Sequence, residues 1–483
     1  MNFKTMTAMA LALSAYSTAP AFAADLPEAQ KAAIVQTVEG DAEQIGSTAL
    51  AIWGFAELGY QETQSSALLQ SDLRNAGFEI TAGVAGQPTA FVASFKNGEG
   101  PVIGILAEFD ALPGLSQAVS PVEETLGGHA GHGCGHNLFG TASSYAAIAV
   151  REWMIANNIK GEIRLYGTPA EEGGSAKAFM VRDGLFNDVD VALHWHPGSS
   201  NDASQGTTKA NVSGKFRFYG TSSHASGAPD RGRSALDAVE SMNYMVNMMR
   251  EHVHEATRIH YVITDGGKAP NVVPNFAEVY YYVRHGDPMT VLDVVERVKK
   301  AAEGAALGTG TRYEFQQIGG VYSMMPNGTL MEVMDRNLRY SGTLSWTPEE
   351  NAFATEIQKT LATQPPLSSV GEIRPARLSF DGGGGSTDVS DVSWVVPTVG
   401  LSTATFVPGS AGHSWQNVAA AGHSIGVKGT VLATKALALT AAELFVSPET
   451  ITAATAELHE RRGADFVYRP LVGDGPPQLD YRK

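Results

Sequence analysis

The chain of 483 residues has a single cysteine, Cys134. One thiol cannot close an internal disulfide, so no disulfide framework supports this fold. Basic residues are also scarce: 34 Lys and Arg stand against 50 Asp and Glu. Such a surface repels phosphate backbones, and nucleic acid is excluded as an expected partner. Long apolar runs are lacking as well. Residues 6–15 are apolar but too few to span a bilayer, and no later stretch reads as long and apolar enough.

The N-terminus has a different pattern. Lys4 precedes the apolar run, and Ala21-Phe22-Ala23 follows it just before Ala24 and Asp25. This is the layout of a secretory signal peptide, residues 1–23, with cleavage expected after Ala23. The mature protein is expected to be exported, periplasmic or secreted, with no membrane attachment after cleavage. Removing Lys4 leaves 33 basic against 50 acidic side chains, a net charge of −17. A lone thiol in an oxidising compartment has two readings, a small buried apolar residue or a functional group. Cys134 lies in GHAGHGCGHN, with His129, His132 and His136 close by, which favours function.

About 460 residues are enough for two or three domains. Residues 101–106, 161–166, 189–193 and 395–401 read as short apolar strands, and 138–157 and 429–445 as helices. That alternation predicts an α/β fold, a mainly parallel sheet with helices on both faces. The middle differs. Residues 208–219, 259–264 and 277–284 alternate like half-exposed strands, and 234–251 and 290–305 have helical spacing. This predicts a small α+β lid or dimerisation domain at 208–320, inserted into a catalytic domain of 24–207 and 321–446. Residues 381–386 form a glycine-rich loop. The tail, 447–483, ends Pro/Gly-rich and is expected to wrap the surface.

Ligands of open α/β sheets bind where strands end at their carboxyl edge. Asp110, Glu171, Glu172, His194, His196 and His413 all follow predicted strands, and Cys134 and His136 precede a helix. Taken singly, a histidine is more often a structural residue than a ligand. Cys134-Gly-His136 places a thiolate and an imidazole on one extended turn. Glu171-Glu172 lies between Thr168-Pro169 and Gly173-Gly174, a tight turn on which adjacent carboxylates point different ways. One can bind a metal while the other faces a water. Thiolate, imidazole and carboxylate together suit zinc or a similar first-row ion rather than magnesium or calcium.

GHGCGHN, TPAEEGG, HWHPG and GHSW, in that order, resemble the metal-dependent aminoacylase and carboxypeptidase family. AEFDALPG, FYGTSSHASGAPDRGRSALDAV, APNVVPNFAEVYYYVR and STDVSDVSW place the chain nearest its amidohydrolase branch, which cleaves p-aminobenzoyl-glutamate and indoleacetyl-amino acids. The similarity runs from about residue 30 to the end. It implies a two-metal site holding zinc, manganese or cobalt, and a homodimer. It implies Cys134, His136, Glu172, His196 and His413 as ligands and Glu171 as general base. His224 and Asn271 are implied to hold the scissile group and the substrate carboxylate, often across a dimer interface. Arg284 has two readings, a carboxylate contact or a surface salt bridge. Asp110 is implied to orient a ligand, and His132 and His194 to support the site or the fold. One departure is Asn137-Leu138-Phe139, where many relatives carry Asp-Gly-His after Cys-Gly-His. The expected reaction is hydrolysis of an N-acyl or N-aroyl amino acid by metal-activated water. A dipeptidase or carboxypeptidase on the same residues is the second reading. A non-catalytic binder is the third, and Glu171 argues against it because a binder needs no base.

Overall fold

The computed structural model describes residues 26–383 and 385–482. The signal peptide expected at 1–23 lies outside the described residues. A six-stranded sheet runs in the order Glu79–Ala82, Phe91–Lys96, Glu162–Gly167, Val102–Ala107, Val191–Leu193, Thr398–Val399. The last four strands are mutually parallel, and the first two join antiparallel at one edge. Val102–Ala107, sequence VIGILA, is central and apolar on both sides, as a strand covered on two faces must be. Ile103, Ile105, Ile163 and Leu165 pack into the core beneath His136–Ala156. Leu106, Tyr166 and Ala192 face the other way, against Met180, Val389 and Val392.

The apolar stretch at 395–401 is not one strand. Val389–Val395 is a helix, and only Thr398–Val399 joins the sheet. Pro397 separates them, because it offers no N–H to either a helix or a ladder. The membrane reading also needs correction. Ser424–Val446, 23 residues, is long and apolar enough to cross a bilayer. It is apolar nearly all round because it is a core helix, packed between His136–Ala156 and Gly328–Tyr340.

The inserted unit is a four-stranded antiparallel sheet, ordered Arg258–Asp265, Phe276–His285, Ala210–Tyr219, Arg312–Val321. Helices Ala235–Met249 and Pro288–Thr309 cover one face. Ser234 caps the first, its hydroxyl accepting from the Asp237 amide at 3.1 Å, and Asp287 caps the second. The fourth strand, Arg312–Val321, is absent from the sequence expectation. Its sequence, RYEFQQIGGV, is too polar and glycine-broken to alternate clearly.

The tail does more than wrap the surface. Pro448–Arg462 is a helix, and beyond it Leu471 enters the core of the inserted unit. Farther along, the Gln61 amide donates to the Leu479 carbonyl at 3.1 Å. Tyr481 packs edge-on against Tyr60, ring centroids 5.9 Å apart.

Candidate metal centre

The sheet brings its loaded residues together at the carboxyl edge. Glu108 and Asp110 follow Val102–Ala107, the Glu171-Glu172 turn follows Glu162–Gly167, and His194 and His196 follow Val191–Leu193. Cys134 and His136 enter at the N-terminus of His136–Ala156. Gly135 between them has φ +79°, and a Cβ there would stand 2.9 Å from Pro197 and Phe406. Only glycine supplies both the left-handed turn and the close approach. Ala170, Ser175 and His413 also hold positive φ, at 54°, 56° and 58°. Such backbones cost on the order of 1–3 kcal/mol each and gather at functional sites.

Two ligand groups emerge, Cys134 with His136 and His196, and Cys134 with Glu172 and His413. Within each group the ligand atoms lie within 4.8 Å of one another. Cys134 Sγ belongs to both and stands 3.4 Å from His196 Nε2. His413 Nε2 is 3.4 Å from Glu172 Oε1. Glu108, His136 and Glu171 form a third group. Its Glu108 is already paired, because the buried Lys177 ammonium sits 2.8 Å from it and 2.6 Å from Asp388. Asp110 accepts from His136 Nδ1 at 2.9 Å and from the Glu172 amide at 2.9 Å, so one carboxylate orients two candidate ligands.

The residues fit divalent ions. Glu108, Asp110 and Asp388 are buried and Glu171 and Glu172 nearly so, with Lys177 the buried cation among them. His136 Nε2 is buried 3.1 Å from Glu108 Oε2, and Glu172 Oε1 is buried 3.4 Å from His413 Nε2, so both atoms face the donor cluster. Burial pushes the Cys134 thiol well up, so a thiolate there needs a cation. Burial, with Glu108 and Glu172 nearby, holds the Glu171 carboxyl well above its usual range. Glu172 resists the same burial through the His413 hydrogen bond and the His136 charge, and is lowered. The two adjacent carboxylates are thus pushed apart, which separates a proton carrier from an anionic ligand. His194 is driven down to about 3 by burial and by His196 and Lys177, so it stays neutral.

A cavity of about 650 Å³ opens over this cluster. Arg284 lines it from the inserted sheet, which corrects the surface salt-bridge reading of that residue. His224 and Asn271 do not line it. They sit side by side on exposed loops of the insert, the Ala225 amide donating to the Asn271 carbonyl at 3.0 Å. His132 is a buried structural residue, its Nε2 3.1 Å from the Ile52 carbonyl. Sequence reasoning passed over Glu108, Lys177, Asp388 and Arg482. Glu108 and Asp388 sat in plain view in AEFDALPG and STDVSDVSW. Arg482 had no signal in its own neighbourhood.

A family model, the peptidase dimerisation domain of the M20 peptidases, matches residues 207–309. The chain is 41% identical to a subunit of the p-aminobenzoyl-glutamate hydrolase of Escherichia coli (strain K12), over 86% of this chain and 91% of the relative. This chain belongs to the M20 family. It is a metal-dependent amide-bond hydrolase. It is also 28% identical to the Xaa-Arg dipeptidase of Mus musculus, over 87% of this chain and 90% of that protein. A dinuclear metal-binding M20 peptidase from Bacillus subtilis shares the fold at a TM-score of 0.50 and 17% identity, covering 83% of this chain and 98% of its own.

Proposed function

We propose that this M20 hydrolase cleaves the amide bond of N-acyl or N-aroyl amino acids of the p-aminobenzoyl-glutamate type, using two divalent ions. The observation that carries the reading is the pair of ligand groups sharing Cys134, set in one cavity with a protonable Glu171. Cys134, His136 and His196 would hold one ion, and Cys134, Glu172 and His413 the other. Thiolate and imidazole donors favour zinc, with manganese or cobalt as substitutes. When bound, the ions lower the pKa of water and polarise the scissile carbonyl. Glu171 takes the proton of the attacking water and delivers it to the leaving amine. The Lys177–Glu108–Asp388 network keeps Glu171 from pairing with the nearest ammonium. His224 donates to the developing oxyanion and Asn271 holds the substrate carboxylate. Because neither lines this chain's cavity, both come from a second copy, docked through the dimerisation unit. The protein acts as an exported enzyme, released after residue 23, which N-terminal sequencing of the mature form would check.

A peptidase releasing a cationic residue fits less well, since Arg284 and Arg482 both face the cavity. The test is turnover of a panel of N-acyl amino acids by purified protein, before and after chelation. Chelation should abolish activity, and zinc, manganese or cobalt should restore it. Active protein free of metal by elemental analysis would sink the reading.

A further inference from the structure

One wall of the cavity belongs to the inserted sheet. Asn211 faces Arg284 and Ser213 faces Tyr282 in the ladder between Ala210–Tyr219 and Phe276–His285. All four line the cavity, while the alternate residues Val212, Tyr281 and Val283 are buried in the insert's core. The pleat therefore turns the polar face of this sheet toward the metal ligands. Arg284 lies over the Tyr282 ring at 5.2 Å, and its Nε is buried without a hydrogen bond.

A second guanidinium arrives from the tail. Arg482 donates to the Glu172 carbonyl and lies against the Tyr481 ring at 5.1 Å. Tyr481 is itself wedged against Tyr60. Across Gly173, Arg482 meets Tyr282, the ring that Arg284 lies over. A Cβ built there would meet Arg482 Nη2 at 3.6 Å and the Tyr282 hydroxyl at 3.9 Å. Both arginines are half-buried. Among the described residues no carboxylate pairs with either, although Glu108, Glu171, Glu172 and Asp388 line the same cavity. A half-buried guanidinium that lines a cavity without a carboxylate partner is matched to an anionic ligand.

Every N-acyl amino acid has one α-carboxylate, and Asn271 with one cation suffices for it. We propose that Arg482 is a specificity-determining residue that reads a second, side-chain carboxylate, so that with Arg284 it selects N-acyl derivatives of acidic amino acids. This rests on the amide-hydrolase reading above. The tail thereby couples substrate choice to the same turn that carries Glu171 and Glu172.

The test compares N-benzoyl-glutamate with its neutral isostere N-benzoyl-glutamine, in wild type, Arg482→Ala and Arg482→Lys. A charge-assisted contact of this kind changes kcat/KM by about 10–10²-fold. Arg482→Ala should lose that much on the glutamate substrate, mainly through KM, and stay within about threefold of wild type on the glutamine substrate. Arg482→Lys should recover part of the loss, and metal content should not change. Equal losses on both substrates, no loss on either, or loss of metal would each overturn the proposal. In those three cases wild-type turnover still stands. If wild type hydrolyses neither substrate, the amide-hydrolase reading itself fails and this inference goes with it.

Discussion

At the residue scale, the two neighbouring glutamates have opposite environments, and the proposed division of the chemistry rests on that. Glu171 is kept protonable by burial beside Glu108 and Glu172, whereas Glu172 is kept anionic by His413 and His136. Glu171→Gln removes the proton carrier but keeps its shape. It should retain metal while turnover falls by about 10²–10⁴-fold. Glu172→Gln should weaken metal binding first, as metal titration would show; the opposite pattern would reverse the roles. Cys134 gives an independent readout because it is the sole thiol. In the metal-loaded protein it should resist alkylation, and chelation should expose it to iodoacetamide. Equal rates in both states would make it an ordinary free cysteine. The residue types at this site were legible in sequence, because GHGCGHN, TPAEEGG, HWHPG and GHSW each carry their donors within a few residues. Lys177 was not, since nothing local marks a lysine as buried. Its partners Glu108 and Asp388 lie 69 and 211 positions away.

At the scale of elements, the helix Val389–Val395 ties the catalytic unit to the tail and to the insert. Asp391 accepts from the Tyr468 hydroxyl at 2.6 Å and from the Tyr322 amide at 3.1 Å. Burial raises its carboxyl to about 8. The native state therefore holds a proton that the unfolded chain releases near pH 4. The sign follows from linkage: this contribution is complete below about pH 4 and is lost as pH rises toward about 8. Urea midpoints of metal-free protein should fall across that window, and Asp391→Asn should flatten the fall. An unchanged slope would show that Asp391 is ionised in the native state. The metal-free form is needed because ligand deprotonation strengthens metal binding with pH, in the opposite direction. Element by element, strands buried on both faces, such as VIGILA, announced themselves as apolar runs. The strand Arg312–Val321 did not, because one face meets solvent or the site and its register depends on partners.

At the scale of the whole molecule, the proposed site draws on a second copy. His224 and Asn271 lie on exposed loops, and the strand Arg258–Asp265 leaves a sheet edge with exposed Tyr261, Val262 and Ile263. Natural proteins cover such an edge, and a second copy is the cover proposed here. Mixing His224→Ala with Glu171→Gln and allowing subunits to exchange tests this. If His224 acts across the interface, each mixed dimer holds one intact site and should show about half of wild-type activity. Proven exchange without any recovery would confine the site to one chain. What the amino-acid sequence determined by itself was everything encoded locally: donor types, their turns, the alternation of the insert, and the layered α/β class. What only the tertiary structure decided was convergence: Lys177 beneath Glu108, Arg284 turned into the cavity, and Arg482 brought over the Glu172 turn. The reason is physical. A donor motif needs only a short stretch of backbone to define it, whereas the position of Arg482 depends on Tyr481 docking against Tyr60, more than four hundred residues earlier.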